Sequence, residues 1–297
     1  MSQTVKSARP APWRGSGASR RPRAACPARY AGFPDALQAE WTKLRTVGGT
    51  GWLLLAAAAL TIAVGAAAAG AFACSPAHGG CSPAATGADP ARISLTGVYL
   101  GQAVIAVLGV LVIGGEYGTG MIRVTLAACP RRLSVLTAKA LIVAGCALAA
   151  GLFAVGGSVL AGRLILPGRG LTTANGYVLL SLGNGPDLRA ATGTAVYFAL
   201  IALLALGITT AVRDSAVGIG VVLGLLYLFP IVASLAANPD WQRHLEQIGP
   251  MTAGLEIEAT TGLHSLPMSP WAGLGVLAAW AAAALLIGGL LLRLRDA

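Results

Sequence analysis

Six long apolar stretches, separated by polar segments, dominate the chain after residue 50. They cover residues 51–74, 93–115, 140–162, 190–212, 215–238 and 271–292, and none contains Asp, Glu, Lys or Arg. A helix of about 20 residues crosses the hydrocarbon core of a bilayer, so each stretch is long enough to span it. Lipid offers the backbone no hydrogen-bond partners, and a helix satisfies its own N–H and C=O groups. The pattern therefore predicts an all-α, polytopic membrane protein with six transmembrane helices.

The composition agrees with a membrane location. Hydrophobic residues make up 56% of the 297 residues and charged residues only 11%, whereas soluble domains contain about 25% charged residues. The first apolar stretch begins too far from the N-terminus for a secretory signal, so we expect a retained helix. Residues 1–33 are rich in Arg, Pro, Ala and Gly without an apolar period, and we expect a disordered basic tail. Residues 34–297 form the predicted six-helix transmembrane domain.

The positive charges are distributed unevenly between the two sides of the predicted bundle. If both termini lie in the cytoplasm, most of the 21 Lys and Arg residues fall on the cytoplasmic side. The five on the outer side are Arg92, Arg163, Arg169, Arg189 and Arg243. Cytoplasmic loops are normally enriched in Lys and Arg. We therefore expect a multi-pass protein of the plasma (cytoplasmic) membrane with both termini inside, whose net charge of +10 contacts anionic lipids and not nucleic acid.

Residues 34–47 have the pattern of an amphipathic helix ahead of the first span. Leu37, Trp41 and Leu44 are spaced i, i+4, i+7 and share one helical face. A helix with Trp on its apolar side favours the membrane interface, and the alternative is an ordinary cytoplasmic lead-in to the first span. The candidate residues of this interfacial helix are Glu40, Trp41, Lys43, Leu44 and Arg45.

Two of the longer loops have helical patterns of their own. The predicted outer loop, 238–270, contains short apolar runs that indicate short helices at the membrane surface. The predicted inner loop, 116–132, contains an apolar surface from Met121, Val124 and Leu126, and Pro130 ends its helical pattern. A short helix in this position is suited to press on a soluble partner.

The inner loop resembles that of a known transporter family. The pattern Glu-Tyr-x-Thr-Gly-x-Ile-Arg-x-Thr-Leu at 116–126, followed by Pro-Arg-Arg at 130–132, is similar to ABC transporter permeases of the type-2 exporter class, especially bacterial ones. The segment at 40–45, a Pro-Trp-x-Gly at 270–273 and the C-terminal Arg-Asp-Ala resemble further parts of the family. The similarity covers roughly 36–297, and the Arg- and Pro-rich front end departs from it.

This resemblance implies a division of labour between chains. Family members pair two permease units with two ATP-hydrolysing subunits, and the loop between the second and third helices couples them. Carried over here, the segment between the fifth and sixth helices caps the exit path. The coupling residues would be Glu116, Tyr117, Thr119, Gly120, Arg123, Pro130, Arg131 and Arg132. The sequence contains no Gly-x-x-x-x-Gly-Lys-Ser/Thr phosphate loop, so ATP hydrolysis is expected on the partner, and we expect no cofactor, metal site or catalytic residue in this chain.

Several alternatives stay open from the sequence. Gln102 in the second span either faces a substrate path or bonds to another helix. Cys74 and Cys81 are candidates for an outer disulfide. Two other functions stay open: a membrane scaffold or sensor, and a membrane enzyme whose candidate catalytic residues are Asp187, His244 and Glu246. The cargo, the direction of transport and the choice between a homodimer and a heterodimer stay undetermined.

Overall fold

The protein is described here from a computed structural model that covers residues 33–46, 48–72, 87–122, 132–235 and 238–294. All its regular elements are helices in these ranges. Six are long and apolar enough to cross a membrane, which confirms the predicted all-α class and the predicted number of helices of spanning length. They are α2 (Gly48–Ala71), α4 (Val98–Gly118), α5 (Arg132–Ile165), α6 (Gly185–Val212), α7 (Ser215–Leu235) and α10 (Pro270–Leu294).

Four shorter helices accompany the spans within the described ranges. They are α1 (Phe33–Thr46), α3 (Pro90–Leu95), α8 (Pro239–Ile248) and α9 (Pro250–Leu255). Nearly all of the predicted basic tail, together with Cys74 and Cys81, lies outside the described residues. The α1 helix ends immediately before α2, and α8 and α9 lie between α7 and α10. We call the end of the bundle that carries α1 the inner face and the end that carries α8 and α9 the outer face, following the orientation predicted from charge.

Among the helix boundaries that differ from the predicted ones, the starts of the second and third spans bear on the site. The second span starts at Val98 and not at residue 93, because the chain first forms α3 and then turns at Gly97. A side chain at Gly97 would come within 1.9 Å of the Thr61 carbonyl oxygen, so α2 packs directly on this turn. The third span starts at Arg132 and not at residue 140, which brings Lys139 into the α5 helix.

The α6 helix forms the centre of the bundle. It packs against α4, α5, α7 and α10, and it is the most buried of the six spans. Its contact with α10 depends on two glycines: a Cβ on Gly207 would lie 2.6 Å from the Ala284 backbone, and one on Gly288 would lie 2.7 Å from the Gly207 carbonyl oxygen. Small residues let transmembrane helices approach closely, so these glycines allow backbone contact between α6 and α10.

The outer face is closed by the segment that follows α8. Met251, Leu255 and Ile257 are buried against the spans, and a short 3₁₀ turn, Glu256–Glu258, continues α9. Asp89 holds this segment to α3: its carboxylate accepts hydrogen bonds from the Thr260 N–H at 2.6 Å and the Thr261 N–H at 3.0 Å. The same carboxylate caps α3 by accepting a 3.0 Å bond from the Ala91 N–H.

Candidate functional site

Four charged side chains from three helices meet at the inner face. Glu40 and Lys43 come from α1, Glu116 from the end of α4, and Lys139 from the start of α5. The Lys139 Nζ lies 2.5 Å from Glu40 Oε2 and 3.0 Å from Glu116 Oε1. The Lys43 Nζ lies 3.0 Å from Glu40 Oε1 and 3.0 Å from Glu116 Oε1. Each lysine therefore joins both carboxylates, and we call these four residues the charged cluster.

Three members of the charged cluster are withdrawn from solvent. The side chains of Lys139, Glu40 and Glu116 are 3%, 5% and 9% exposed, and that of Lys43 is 32% exposed. Removing a charge from water costs several kcal/mol, which only a close and well-oriented partner offsets. The cluster contains two cations and two anions, so its charges balance. Its pairing therefore depends on α1, α4 and α5 keeping their relative positions.

The ionisation of the α1 residues reflects this pairing. Burial opposes the charge on Glu40, but the attraction and hydrogen bonds of Lys139 and Lys43 outweigh it and lower the pKa of Glu40 below its usual 4.5. Burial likewise opposes the charge on Lys43, but hydrogen bonds to Glu40 and Glu116 raise the pKa of Lys43 above its usual 10.5. Both side chains are therefore charged at neutral pH.

A cavity of about 370 Å³ lies beside the charged cluster. Its walls are mostly apolar and include Leu44, Leu53, Leu108 and Met121, while the cluster forms its polar side. The second carboxylate oxygen of Glu116, Oε2, is buried and accepts no hydrogen bond. The ends of α1 and α4 thus border space into which side chains can shift.

The predicted coupling residues after Glu116 begin at the end of α4. Thr119 caps the helix, and its hydroxyl donates a 2.7 Å bond to the Gly115 carbonyl. Gly120 follows with φ of +70°, a conformation that glycine adopts without strain and that commonly ends helices. The Arg213 guanidinium lies 5.9 Å from the Tyr117 ring centre, which joins α4 to the turn between α6 and α7. Arg123, Pro130 and Arg131 lie outside the described residues.

Arg132, the last predicted coupling residue, begins α5 and contacts the C-terminal end of α10. Its Nη1 donates a 2.9 Å hydrogen bond to the Leu292 carbonyl at the end of α10. Arg213 donates a 3.3 Å bond to the neighbouring Leu291 carbonyl. Carbonyls at the C-terminal end of a helix lack partners within the helix and attract cations. Residues on both sides of the predicted loop therefore contact several helices of the bundle.

The α1 helix packs on the bundle through a residue outside the apolar face predicted to lie at the membrane interface. Glu40 is the buried residue of the α1 set, Leu44 is half-buried beside the cavity, and Trp41 is 48% exposed. Arg45 is exposed. The buried position of Glu40 follows from its ion pairs with Lys43 and Lys139, which the spacing of apolar residues does not reveal.

Gln102 is fully buried and bonded to neighbouring elements. The Tyr197 hydroxyl of α6 donates to its Oε1, and its Nε2 donates to the Met251 sulfur of α9 at 3.1 Å. These contacts correspond to the helix-bonding alternative for this residue. Gln102 therefore joins α4, α6 and the outer segment.

Sequence reasoning missed Lys139 as a site residue. The sequence pattern places Lys139 among the basic residues of an inner loop, because it precedes an apolar stretch and matches no motif. The signal that could have found it is a lone lysine at the edge of a span in a chain with only three lysines, since a charge at such a depth needs a partner. Its carboxylate partners lie 99 and 23 residues away in the chain, a distance that no local pattern covers.

The residues of the enzyme alternative form no joint site in the described part of the chain. Asp187 accepts a 2.9 Å bond from the Ser181 N–H, Glu246 accepts a 2.9 Å bond from Gln242, and His244 is exposed. No hydrogen bond joins the three to one another across the described ranges. The described residues contain no group of three His, Cys, Asp or Glu side chains placed to hold a metal ion.

Comparisons with known proteins do not identify a family for this chain. No protein-family model matches the sequence, and no curated protein matches it significantly.

Proposed function

We propose that this chain is the membrane-spanning permease subunit of an ATP-driven transporter of the ABC exporter class. Two such subunits, identical or related, would work with ATP-hydrolysing chains that dock on the inner loop 116–132. The proposal combines the loop's resemblance to the family with the six spans of the fold. The plasma membrane as location and the cytoplasmic position of both termini belong to the same proposal.

The observation that carries the proposal is the position of Glu116. This first residue of the predicted coupling loop is buried and pairs with Lys43 of α1 and Lys139 of α5, each at 3.0 Å. A displacement of the loop therefore acts on α1, α4 and α5 together. Packed cores and ion-pair networks change between discrete arrangements and do not deform continuously. A push on the loop is thus suited to switch the bundle between two states.

The energy for this switch would come from differential binding. A ligand or partner shifts a conformational equilibrium only by the difference in its affinity for the two states. ATP-driven closure of the docked subunits would favour one position of the loop, and hydrolysis would release it. The cavity beside the charged cluster provides room for α1 and α4 to move relative to each other.

The direct experiment is purification of the full-length tagged chain from its own membranes. We expect an ATP-binding subunit to copurify in about equal amount and the complex to hydrolyse ATP. The Arg123→Ala variant removes a charged contact of about 1.5–3 kcal/mol, so the recovery of the ATP-binding subunit should fall roughly tenfold or more. Arg169→Ala, which removes an exposed arginine on the outer face, serves as the matched control and should leave recovery unchanged.

A second variant separates docking from coupling. Glu116→Gln keeps the size of the side chain but removes its charge from the cluster, so the partner should stay bound while ATP hydrolysis by the complex slows. Hydrolysis by the native chain purified alone, or equal recovery of the ATP-binding subunit with Arg123→Ala and Arg169→Ala, would overturn the proposal.

A further inference from the structure

A second cavity, of about 590 Å³, opens at the outer face. It lies between α3, the start of α4, Pro230 of α7 and the segment formed by α8, α9 and the 3₁₀ turn. Its walls combine the apolar side chains of Ile93, Leu255 and Leu266 with several polar and charged groups. It is separate from the cavity at the inner face and shares no lining residue with it.

The charges in this outer cavity do not balance. Three carboxyl groups line it, from Glu246, Glu256 and Glu258, but Arg92 is the only cation among its lining residues in the described ranges. The Arg92 Nη2 lies 2.6 Å from Glu256 Oε2, so this arginine is paired with Glu256. Glu246 accepts a hydrogen bond from Gln242 on its own helix.

Glu258 is the carboxyl group that this arrangement leaves unsatisfied. The residue is 3% exposed, and its Oε1 atom is buried without a hydrogen-bond partner. A buried polar atom without a partner costs about 1–3 kcal/mol, and native structures contain few such atoms. Glu258 therefore sits at the wall of the cavity, and its Oε1 atom is paired with no cation or hydrogen-bond donor of the described residues.

The raised pKa of Glu258 fits a site that can receive a cation. Burial raises the pKa of Glu258 well above its usual 4.5, the Arg92 charge opposes the rise in part, and Asp89 and Glu256 add to it. Without a ligand the carboxyl group therefore holds its proton more tightly than an exposed glutamate does. A cation that enters the cavity would replace this proton and pair with the carboxylate.

The chemistry of the walls selects the type of cation. A hydrated metal ion needs about six or more oxygen ligands to replace its water, and no metal-binding group of side chains is found among the described residues. Apolar walls around a few polar groups are typical of sites for organic molecules. A cation with an apolar body can bury that body against Leu255 and Leu266 while its charged group reaches Glu258.

We propose that the outer cavity binds an amphiphilic organic cation, whose ammonium group pairs with Glu258 and whose apolar part packs on the α9 segment and the start of α4. The inference of a binding site depends only on the cavity and its lining residues. Its assignment as a release site for exported cargo rests on the proposed permease function.

The test uses the purified full-length chain in detergent without any ATPase. The probe is monodansylcadaverine, a fluorescent primary amine, and its binding is measured by fluorescence anisotropy. We expect saturable binding that Glu258→Gln weakens at least about tenfold, the effect of losing about 1.4 kcal/mol. Asp240→Asn makes the same charge change at an exposed residue of α8 outside the cavity lining, and it should leave the affinity unchanged.

Two further measurements keep the proposal testable if the Gln variant folds poorly. The N-acetylated probe is neutral, and it should bind the native chain at least about tenfold more weakly than the amine does. Raising the pH from 5 to 8 should strengthen binding of the amine, because the proton on Glu258 competes with it. The other charged or titratable groups around Glu258 are Asp89, Arg92, Tyr99, Tyr197, Glu246 and Glu256.

Equal affinity for the amine and its acetylated form, or equal affinity of the native chain and Glu258→Gln, would overturn the site. Either result leaves the permease proposal untouched, since no ATPase is present. Conversely, amine binding by a chain that has no ATP-hydrolysing partner would preserve the site and remove only its role as a cargo site.

Discussion

At the residue scale, the charged cluster shows how this apolar bundle holds ionised groups. Lys139 and Glu40 are each almost fully buried and lie 2.5 Å apart, and Glu116 and Lys43 complete a ring of four alternating charges. Buried ion pairs often add little stability compared with apolar residues, but removal of one partner leaves an uncompensated charge. The cluster therefore acts mainly to fix the positions of α1, α4 and α5.

A double-mutant cycle measures this dependence. Lys139→Met leaves two carboxylates with one lysine and should destabilise the chain by about 3–5 kcal/mol. The double variant Glu40→Gln/Lys139→Met leaves Lys43 and Glu116 as a pair and should cost less than the sum of the two single changes. Unfolding in mixed micelles with increasing SDS provides the measurement.

The matched control for this cycle is the pair of Arg92 and Glu256. It is more exposed, with side chains 43% and 16% accessible, and exposed ion pairs contribute about 0.2–1 kcal/mol. The cycle of Arg92→Met and Glu256→Gln should therefore show a much smaller coupling energy. Additive effects of Glu40→Gln and Lys139→Met would contradict the structure of the cluster.

The raised pKa of Glu258 predicts a pH dependence of stability. Burial is its main cause, so the folded protein holds this proton at pH values where the unfolded chain has released it. The stability that the protonated group contributes is complete below about pH 4.5 and is lost as the pH rises through the folded pKa. Glu258→Gln, which cannot ionise, should raise the midpoint of thermal unfolding relative to native by more at pH 8 than at pH 5. The same difference at both pH values would contradict the assignment.

At the element scale, short helices on the outer face depend on specific polar contacts, because they are too short to be stable on their own. The α3 helix has only six residues, and isolated helices of that length do not persist in water. Asp89 both caps α3 and accepts two backbone hydrogen bonds from Thr260 and Thr261. This one carboxylate thereby fixes the segment after α9 against the start of the second span.

Replacement of Asp89 should release that segment. Asp89→Ala removes hydrogen bonds to a charged group, each worth about 1.5–3 kcal/mol, so we expect a lower thermal midpoint. Limited proteolysis should also become faster within 256–267. Asp240→Ala, at an exposed position on α8, is the matched control. Equal protease resistance of the two variants would show that Asp89 does not hold the segment.

At the scale of the whole molecule, one orientation in the membrane underlies both proposals. With α1 on the cytoplasmic side, the charged cluster lies within reach of a cytoplasmic ATPase, and the Glu258 cavity opens to the exterior. In the reverse orientation the charged cluster would face the exterior, and the Glu258 cavity could not be an outer release site. Binding of the cation to the cavity would not depend on orientation.

Cysteine labelling of intact cells tests the orientation. In a background without the native cysteines, His264→Cys should react with a membrane-impermeant maleimide, because this exposed residue lies on the outer face. Arg45→Cys, exposed on α1, should react only after the cells are permeabilised. Labelling of residue 45 in intact cells would refute the predicted topology.

Sequence reasoning predicted the six spans because lipid imposes a simple rule: an apolar run of sufficient length must form a helix. It located their ends less well. The third span, α5, begins at Arg132, eight residues before the apolar run that predicts it. A helix can continue beyond its apolar part where polar side chains find partners. The second span starts later than predicted because the Asp89 cap and the close packing at Gly97 separate α3 from α4.

By itself, then, the sequence determined the class of the protein and the number of its spans, which depend on the length and hydrophobicity of contiguous segments. Only the tertiary structure decided that Glu40 and Lys139 belong to one cluster, that Glu40 and not Trp41 is the buried residue of α1, and that Glu258 lines a cavity. The physical reason is that burial and ion pairing depend on distances between side chains on different helices. Hydrophobic periodicity records which residues avoid water, but it does not record which distant charge stands opposite them.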